Sequence, residues 1–322
     1  MKPLPRLKIA HLPTPLEALP RLRAALGGPK LFVKRDDQTG LAFGGNKTRK
    51  LEFLIAEAKK RGKRTLITAG ALQSNHCRQT AAAAARYGFE CILILTGSKP
   101  AFSSANFLLD QLFGAEVIFS DLGKRDDSLK SEYEKAKKIG RKPYLIPYGG
   151  SNSTGAMGYV YAIEELISQG EHFDWIIFPS SSGGTQAGMA AGAKIFGLQT
   201  KILGISVDED EKILRDRVKI LVEKVINQLE LEVEIKYSEI LVNAKYCKAG
   251  YGVLTENEIM AINEFAKQEG LLLDPVYTGR AAGGMLDLIK KGFFKRGDKV
   301  LFWHTGGTPG LFAEQYRGII RE

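Results

Sequence analysis

Residues 175–188, WIIFPSSSGGTQAG, contain the turn on which the reading of the fold depends. Positions 175–179 are apolar throughout, as a strand buried on both faces of a parallel sheet must be. Ser180-Ser181-Ser182-Gly183-Gly184 ends that run, and Thr185-Gln186-Ala187-Gly188 opens an Ala/Gly-rich helical segment. A buried strand passing through small residues into a helix is one βα unit. The turn has two readings. Its small residues let backbone N–H groups converge on an anion, with the Ser182 and Thr185 hydroxyls as further donors and the helix dipole behind them. Equally, a flexible strand-to-helix turn need bind nothing. The lysine of a Walker A loop and the spacing of a GxGxxG fingerprint are both missing.

Working outward, similar units repeat along the chain. Strands are expected at 30–35, 65–69, 91–96, 116–120, 144–147, 175–179, 202–207 and 300–304. Helices are expected between them at 47–61, 75–87, 104–113, 128–139, 154–168, 185–196, 211–229, 256–268 and 279–291. Eight such strands could close one barrel or form two open, mostly parallel sheets flanked by helices. Gly-rich breaks at Gly44-Gly45-Asn46 and at Gly149-Gly150-Ser151-Asn152-Ser153 favour two sheets, because they bracket about a hundred residues with four βα units of their own. The expected division is therefore 1–45 plus 151–322 as a larger unit and 46–150 as a smaller inserted one. A ligand belongs in the cleft at the carboxyl ends of the strands.

Composition narrows the function classes. Among 322 residues, 46 Lys and Arg stand against 36 Asp and Glu, a net charge of +10, but the cations sit beside acids or at helix ends. A mixed, solvated surface fits this pattern better than a nucleic-acid face. Cys77, Cys91 and Cys247 show neither metal-ligand nor CxxC spacing and read as reduced thiols; no metal site is expected. No run reaches the length of a membrane span, and residues 1–23 have no apolar signal core. Residues 1–35 carry a single acid, Glu17, a transit-peptide bias, although the prolines at 3, 5, 13, 15 and 20 oppose an amphipathic helix there. A cytoplasmic protein is expected.

Five further loops could carry chemistry. In Gly44-Gly45-Asn46-Lys47-Thr48-Arg49-Lys50, Lys47 falls in the first turn of a helix, where the dipole disfavours an ammonium and frees the amine for Schiff-base chemistry; a surface charge is the plainer reading. Ser74-Asn75-His76 follows a buried strand and offers N-caps, or a seat for a carboxylate. His76 and Cys77, as helix neighbours, point about 100° apart and form no thiol dyad. Tyr251, between glycines, and Tyr277, in LLDPVYTG, would hold rings at loop crests, either as filler or as phenols whose pKa nearby cations lower. His304-Thr305-Gly306-Gly307 ends the last strand and could face the same cleft.

In this order, GGNKTRKLE, SNH, SSSGGTQAG, GYG, LLDPVYTG and HTGG resemble the pyridoxal 5′-phosphate enzymes of the tryptophan-synthase-β fold type. More narrowly, the chain is similar to the family containing D-cysteine desulfhydrase and 1-aminocyclopropane-1-carboxylate (ACC) deaminase. The resemblance implies pyridoxal 5′-phosphate in the interdomain cleft, with Lys47 as the Schiff-base lysine, Ser182, Gly183, Gly184 and Thr185 on the phosphate, Asn75 on the phenolic oxygen and Thr305 at the pyridine nitrogen. It further implies Ser74, Asn75 and His76 around the substrate carboxylate, Tyr251 and Tyr277 on the substrate face, and a homodimer. ACC deaminases carry Glu directly after the second tyrosine and Leu in place of the HTGG threonine, whereas this chain has Thr278 and Thr305. Neutral hydroxyls near the ring point to β-elimination from D-cysteine, with ACC deamination or elimination from a related β-substituted amino acid as the alternative.

Overall fold

The computed structural model describes residues 4–319; residues 1–3 and 320–322, which include Pro3 and both ends of the expected larger unit, lie outside it. The strands in chain order are β1 (Leu16–Ala18), β2 (Lys30–Arg35), β3 (Thr65–Ala71), β4 (Glu90–Thr96), β5 (Glu116–Ser120), β6 (Pro143–Leu145), β7 (Trp175–Ser180), β8 (Lys201–Ser206), β9 (Leu241–Asn243) and β10 (Lys299–His304). They form two open sheets, in the orders β5-β4-β3-β6 and β1-β2-β10-β7-β8-β9, so the barrel is excluded. Every pairing is parallel except β1 with β2. β7, the strand of the opening stretch, lies at the centre of the larger sheet between β10 and β8, which is why all but its first residue are buried.

The helices are α1 (Pro20–Leu26), α2 (Asn46–Lys60), α3 (Asn75–Tyr87), α4 (Ala105–Leu112), α5 (Arg125–Lys138), α6 (Ser153–Ser168), α7 (Gly184–Ile195), α8 (Glu211–Gln228), α9 (Glu256–Glu269) and α10 (Thr278–Lys290). Every expected element is present within three residues of its expected bounds. Three short ones went unread: β1, β9 and α1. The last starts on Pro20, whose fixed φ suits a first helical position. Among the described residues no helix is long and apolar enough to cross a membrane.

Two glycines set the spacing that matters for the cleft. A methyl at Gly158 of α6 would lie 2.4 Å from the Arg49 carbonyl oxygen in α2, and one at Gly188 of α7 would lie 2.2 Å from the Ala156 carbonyl oxygen in α6. α2, α6 and α7 can therefore touch backbone to backbone. This contact fixes the helix bearing Lys47 against the helix that opens from the Ser/Gly loop.

Candidate active site

The carboxyl ends of β3, β7 and β10 and the amino ends of α2, α3 and α7 converge on one cleft. Lys47, Ser74, Asn75, His76, Ser182, Gly183, Thr185, Tyr277 and Thr305 all line it; Gly184 and Tyr251 stand behind its wall. No Asp or Glu is among the lining residues.

Lys47 is the second residue of α2, and its Nζ donates to Asn46 Oδ1 at 3.0 Å. Burial pulls its pKa down to about 8; Asp274 opposes the shift and Arg78 adds to it. The expected direction is present, but desolvation rather than the helix terminus is the main cause. Lys50, one turn on, donates to Gly149 O at 3.1 Å and Ser151 Oγ at 3.3 Å, and burial followed by Lys47 pushes its pKa well down. One amine in the cleft wall and one just behind it thus lack a carboxylate hydrogen-bond partner.

The Ser/Gly loop closes into a cradle. Gly183 has φ +81°, a left-handed conformation suited to glycine, and it caps α7. Ser151 Oγ accepts from Gly184 N–H at 3.2 Å and lies 2.8 Å from Ser182 Oγ. Thr185 Oγ1 accepts from Asn46 Nδ2 at 3.1 Å, which leaves its own proton free to donate. The N–H groups of Thr185 and Gln186, in the first turn of α7, have no acceptor within the helix. Methyls at Gly149 and Gly184 would come within 2.3 Å and 2.5 Å of Ser182 Oγ and Ser151 Oγ, so the cradle accommodates no larger residues there. A site composed of donors, with Lys47 in its wall, the buried Lys50 behind it and no acid in its lining, fits a dianionic phosphate.

On the opposite wall, Ser74 caps α3 by accepting from Cys77 N–H at 3.2 Å, and Asn75 follows it at the first helical position. Asn75 Oδ1 accepts from Arg78 Nη1 at 2.8 Å and from Asn106 Nδ2 at 3.0 Å. His76 Nε2 lies 2.9 Å from Thr68 Oγ1, whose proton goes to Ile146 O at 2.8 Å. His76 therefore carries its proton on Nε2, while Nδ1 has no partner among the described residues. Burial, then Lys47 and Lys50, pushes its pKa well down, so the ring is neutral.

The tyrosines correct two expectations. Tyr277 is the residue before α10 and lines the cleft, while Tyr251 lies behind it, with the two hydroxyls 2.8 Å apart. Burial pushes both phenols well above their usual pKa rather than cations pulling them down, so they are neutral donors. Thr278 does not face the cleft, because its hydroxyl donates to Asp274 Oδ1 at 2.8 Å. Of the two discriminating threonines only Thr305 lines the site, and its carbonyl accepts from Asn46 N–H at 3.0 Å, joining β10 to α2.

Sequence reasoning assigned no role to Asn46, Lys50, Arg78, Tyr148 or Ser151. Lys50 had a usable signal, its i,i+3 spacing from Lys47, which puts both on one helix face. Tyr148 and Ser151 flank or occupy a glycine break that was recognised only as a boundary.

Comparisons with known proteins identify the family. A family model described as pyridoxal-phosphate dependent enzyme matches residues 7–306. A D-cysteine desulfhydrase of Klebsiella pneumoniae (strain 342) is 43% identical over 318 residues, covering 96% of each chain. The crystal structure of an ACC deaminase homologue superposes with a TM-score of 0.91 at 35% identity, over 98% of this chain and 97% of that one. A hydrogen sulfide-producing enzyme from Fusobacterium nucleatum, 18% identical with a TM-score of 0.67 over 94% and 97% of the two chains, shares the fold.

Proposed function

The chain belongs to the family of pyridoxal-phosphate dependent enzymes, and from that premise we propose that it converts D-cysteine and water to pyruvate, ammonia and hydrogen sulfide by β-elimination. The observation that carries the choice of substrate is the 43% identity to a D-cysteine desulfhydrase across 96% of both chains. Bound pyridoxal phosphate supplies the electron sink that lets the Cα–H bond break.

The chain's own groups bind, orient and move protons. Ser182, Gly183, Gly184 and Thr185, backed by Ser151, would hold the phosphate through N–H and hydroxyl donors. Asn75 would direct its amide N–H groups at the ring's anionic oxygen, and Thr305 would stand at the pyridine nitrogen. Lys47 Nζ is the amine that would hold the cofactor covalently and, once released, take the α-proton; a pKa of about 8 keeps enough of it neutral for that task. Ser74, with the N–H groups of Asn75 and His76 at the start of α3, would seat the substrate carboxylate. Tyr277, held by the Tyr251 hydroxyl, would donate to the departing sulfur as a neutral phenol.

The same reading takes 46–150 as the smaller unit, supported by a four-stranded sheet that lies within residues 65–145, and 1–45 with 151–322 as the larger. It also takes the protein to be a cytoplasmic homodimer; exposed apolar side chains such as Phe43, Leu112 and Phe312 suit contact with a second copy.

ACC deamination is the second reading, favoured by the 0.91 TM-score to the ACC deaminase homologue. Assays of the purified holoenzyme with D-cysteine, L-cysteine and ACC decide between them. Sulfide and pyruvate from D-cysteine are expected. Their absence, with 2-oxobutyrate formed from ACC, overturns the first reading in favour of the second.

A further inference from the structure

We propose that Arg78 is a positioning residue: it fixes the Asn75 side chain with its NH2 toward the cleft and sets a positive charge without an ion-pair partner behind that donor. The proposal rests on the reading that Asn75 meets the cofactor's ring oxygen.

An asparagine amide has one acceptor oxygen and one donor nitrogen group. Arg78 Nη1 and Asn106 Nδ2 both donate to Asn75 Oδ1, at 2.8 Å and 3.0 Å, so the oxygen is committed. A flipped amide would set N–H against N–H twice, which leaves the nitrogen as the group presented to the cleft. Asn106 is held in turn, since its Oδ1 accepts from Arg78 Nη1 at 2.7 Å and its Nδ2 donates to Gln73 O at 2.8 Å. The other end of the guanidinium, Nη2, donates to Gly44 O at 3.0 Å, a carbonyl shared with Gln79 Nε2 at 2.8 Å. Gly44 directly precedes the capping residue of α2, so one side chain ties the entry of the Lys47 helix to the start of α3.

The charge on Arg78 has no ordinary partner. Its side chain is fully buried, and all its hydrogen bonds go to neutral oxygens. Asp110 and, less strongly, Asp274 act on it electrostatically, but neither forms an ion pair with it. Both oxygens of the Asp110 carboxyl lack hydrogen bonds among the described residues, and burial pushes its pKa well up, which weakens it as a counter-charge. A buried cation costs several kcal/mol unless it is compensated, and departures from that rule mark functional sites. A cation hydrogen-bonded to an amide oxygen polarises the amide N–H groups and strengthens them toward an anion.

A double-mutant cycle on the holoenzyme tests this, with cofactor Kd and the visible absorption maximum as readouts. Arg78→Lys keeps a cation but loses the fork. It is expected to weaken cofactor binding about tenfold, the scale of one charge-assisted hydrogen bond, and to shift the absorption maximum. In an Asn75→Ala background, Arg78→Lys should change Kd by less than about twofold, because the path through Asn75 is already gone. Asn106→Asp, which leaves Arg78 in place and neutralises it, should shift the maximum in the same direction if Arg78→Lys fails to fold. Parent-like Kd and absorption for both Arg78→Lys and Asn106→Asp, or an Arg78→Lys effect fully additive with Asn75→Ala, overturns the proposal. If Asn75→Ala itself has no effect, the assignment of Asn75 fails and the proposal falls with it. A parent protein that binds no cofactor would instead sink the wider functional reading.

Discussion

The two faces of α2 treat buried charge in opposite ways. On one, Arg49 lies within a closed network. It holds both oxygens of Asp36 at 3.0 Å and Glu165 at 2.9 Å, and Glu165 also takes Lys34 Nζ at 2.6 Å. On the other, Lys47 lines the cleft and Lys50 lies behind it on Gly149 and Ser151, both with only neutral acceptors, and Arg78 across the cleft wall shares that condition. Residues 47 and 50 lie on one face at i,i+3 spacing while 49 is turned well away from both. The paired face joins the amino-terminal segment, α2 and α6, and the unpaired face holds positive charge for an anion that the chain does not itself supply. A charge network complete within the fold holds it together, and one left open indicates binding.

The largest expected effect tests the open face at its reacting atom. Lys47→Ala should lower turnover on the order of 10⁴-fold, the upper range for loss of a positioned proton-transfer group, and abolish the absorbance of covalently held cofactor. Urea denaturation should meanwhile show no loss of stability, since an unpaired buried amine contributes none. Retained activity and absorbance would break the assignment of this face.

Arg49→Met is the matching cut on the closed face. It leaves Asp36 and Glu165 buried without their principal cation, which should cost about 3–5 kcal/mol of unfolding free energy. Lys50→Met, one residue on, should leave the stability of the cofactor-free protein unchanged or higher, and weaken cofactor binding instead. Equal losses of stability in the two variants would erase the distinction between the faces.

Within Lys47-Thr48-Arg49-Lys50 lies the limit of what the sequence shows. Three cations in four residues read as a charged surface, yet each has its own burial and none is ordinary surface. The fates of Arg49 and Lys50 are set by Asp36, Glu165 and Gly149, partners from 13 to 116 positions away. The seven longer strands were legible because buried parallel strands must be apolar almost throughout, and the three-residue β6 because it lies in the apolar run 144–147, whereas β1 and β9, also three residues each, are too short to show any period. The loops of the site were legible for a related reason, since serines, asparagines and glycines interrupt apolar runs where backbone donors are needed. Side-chain orientation was not. Thr278 follows Tyr277 directly, but its hydroxyl is taken by Asp274 four residues back, a local turn that residue type alone does not announce.

The finest distinction between the faces is the sign of their response to pH. Burial alone would raise the Glu165 pKa, but Arg49 and Lys34 hold it down to about 2, against an ordinary 4.5. The unfolded chain thus takes up the proton first on acidification. The stability this carboxylate contributes is fully present above pH 4.5 and is lost as pH falls toward 2, a change of about 2 kcal/mol after allowing for partial exposure. Lys47 behaves in the reverse sense. Its folded value of about 8 lies below the ordinary 10.5, so between these limits the unfolded chain binds the extra proton and the stability of the cofactor-free protein rises as pH climbs through about 8. Urea unfolding of the cofactor-free parent should therefore show an acid limb that Glu165→Gln removes and an alkaline rise that Lys47→Ala reduces. Cofactor capture should accelerate over the same alkaline range, because only the neutral amine reacts. If Glu165→Gln leaves the acid limb unchanged, the closed network is not what supports that face; if capture is flat between pH 7 and 9, Lys47 is not the titrating amine.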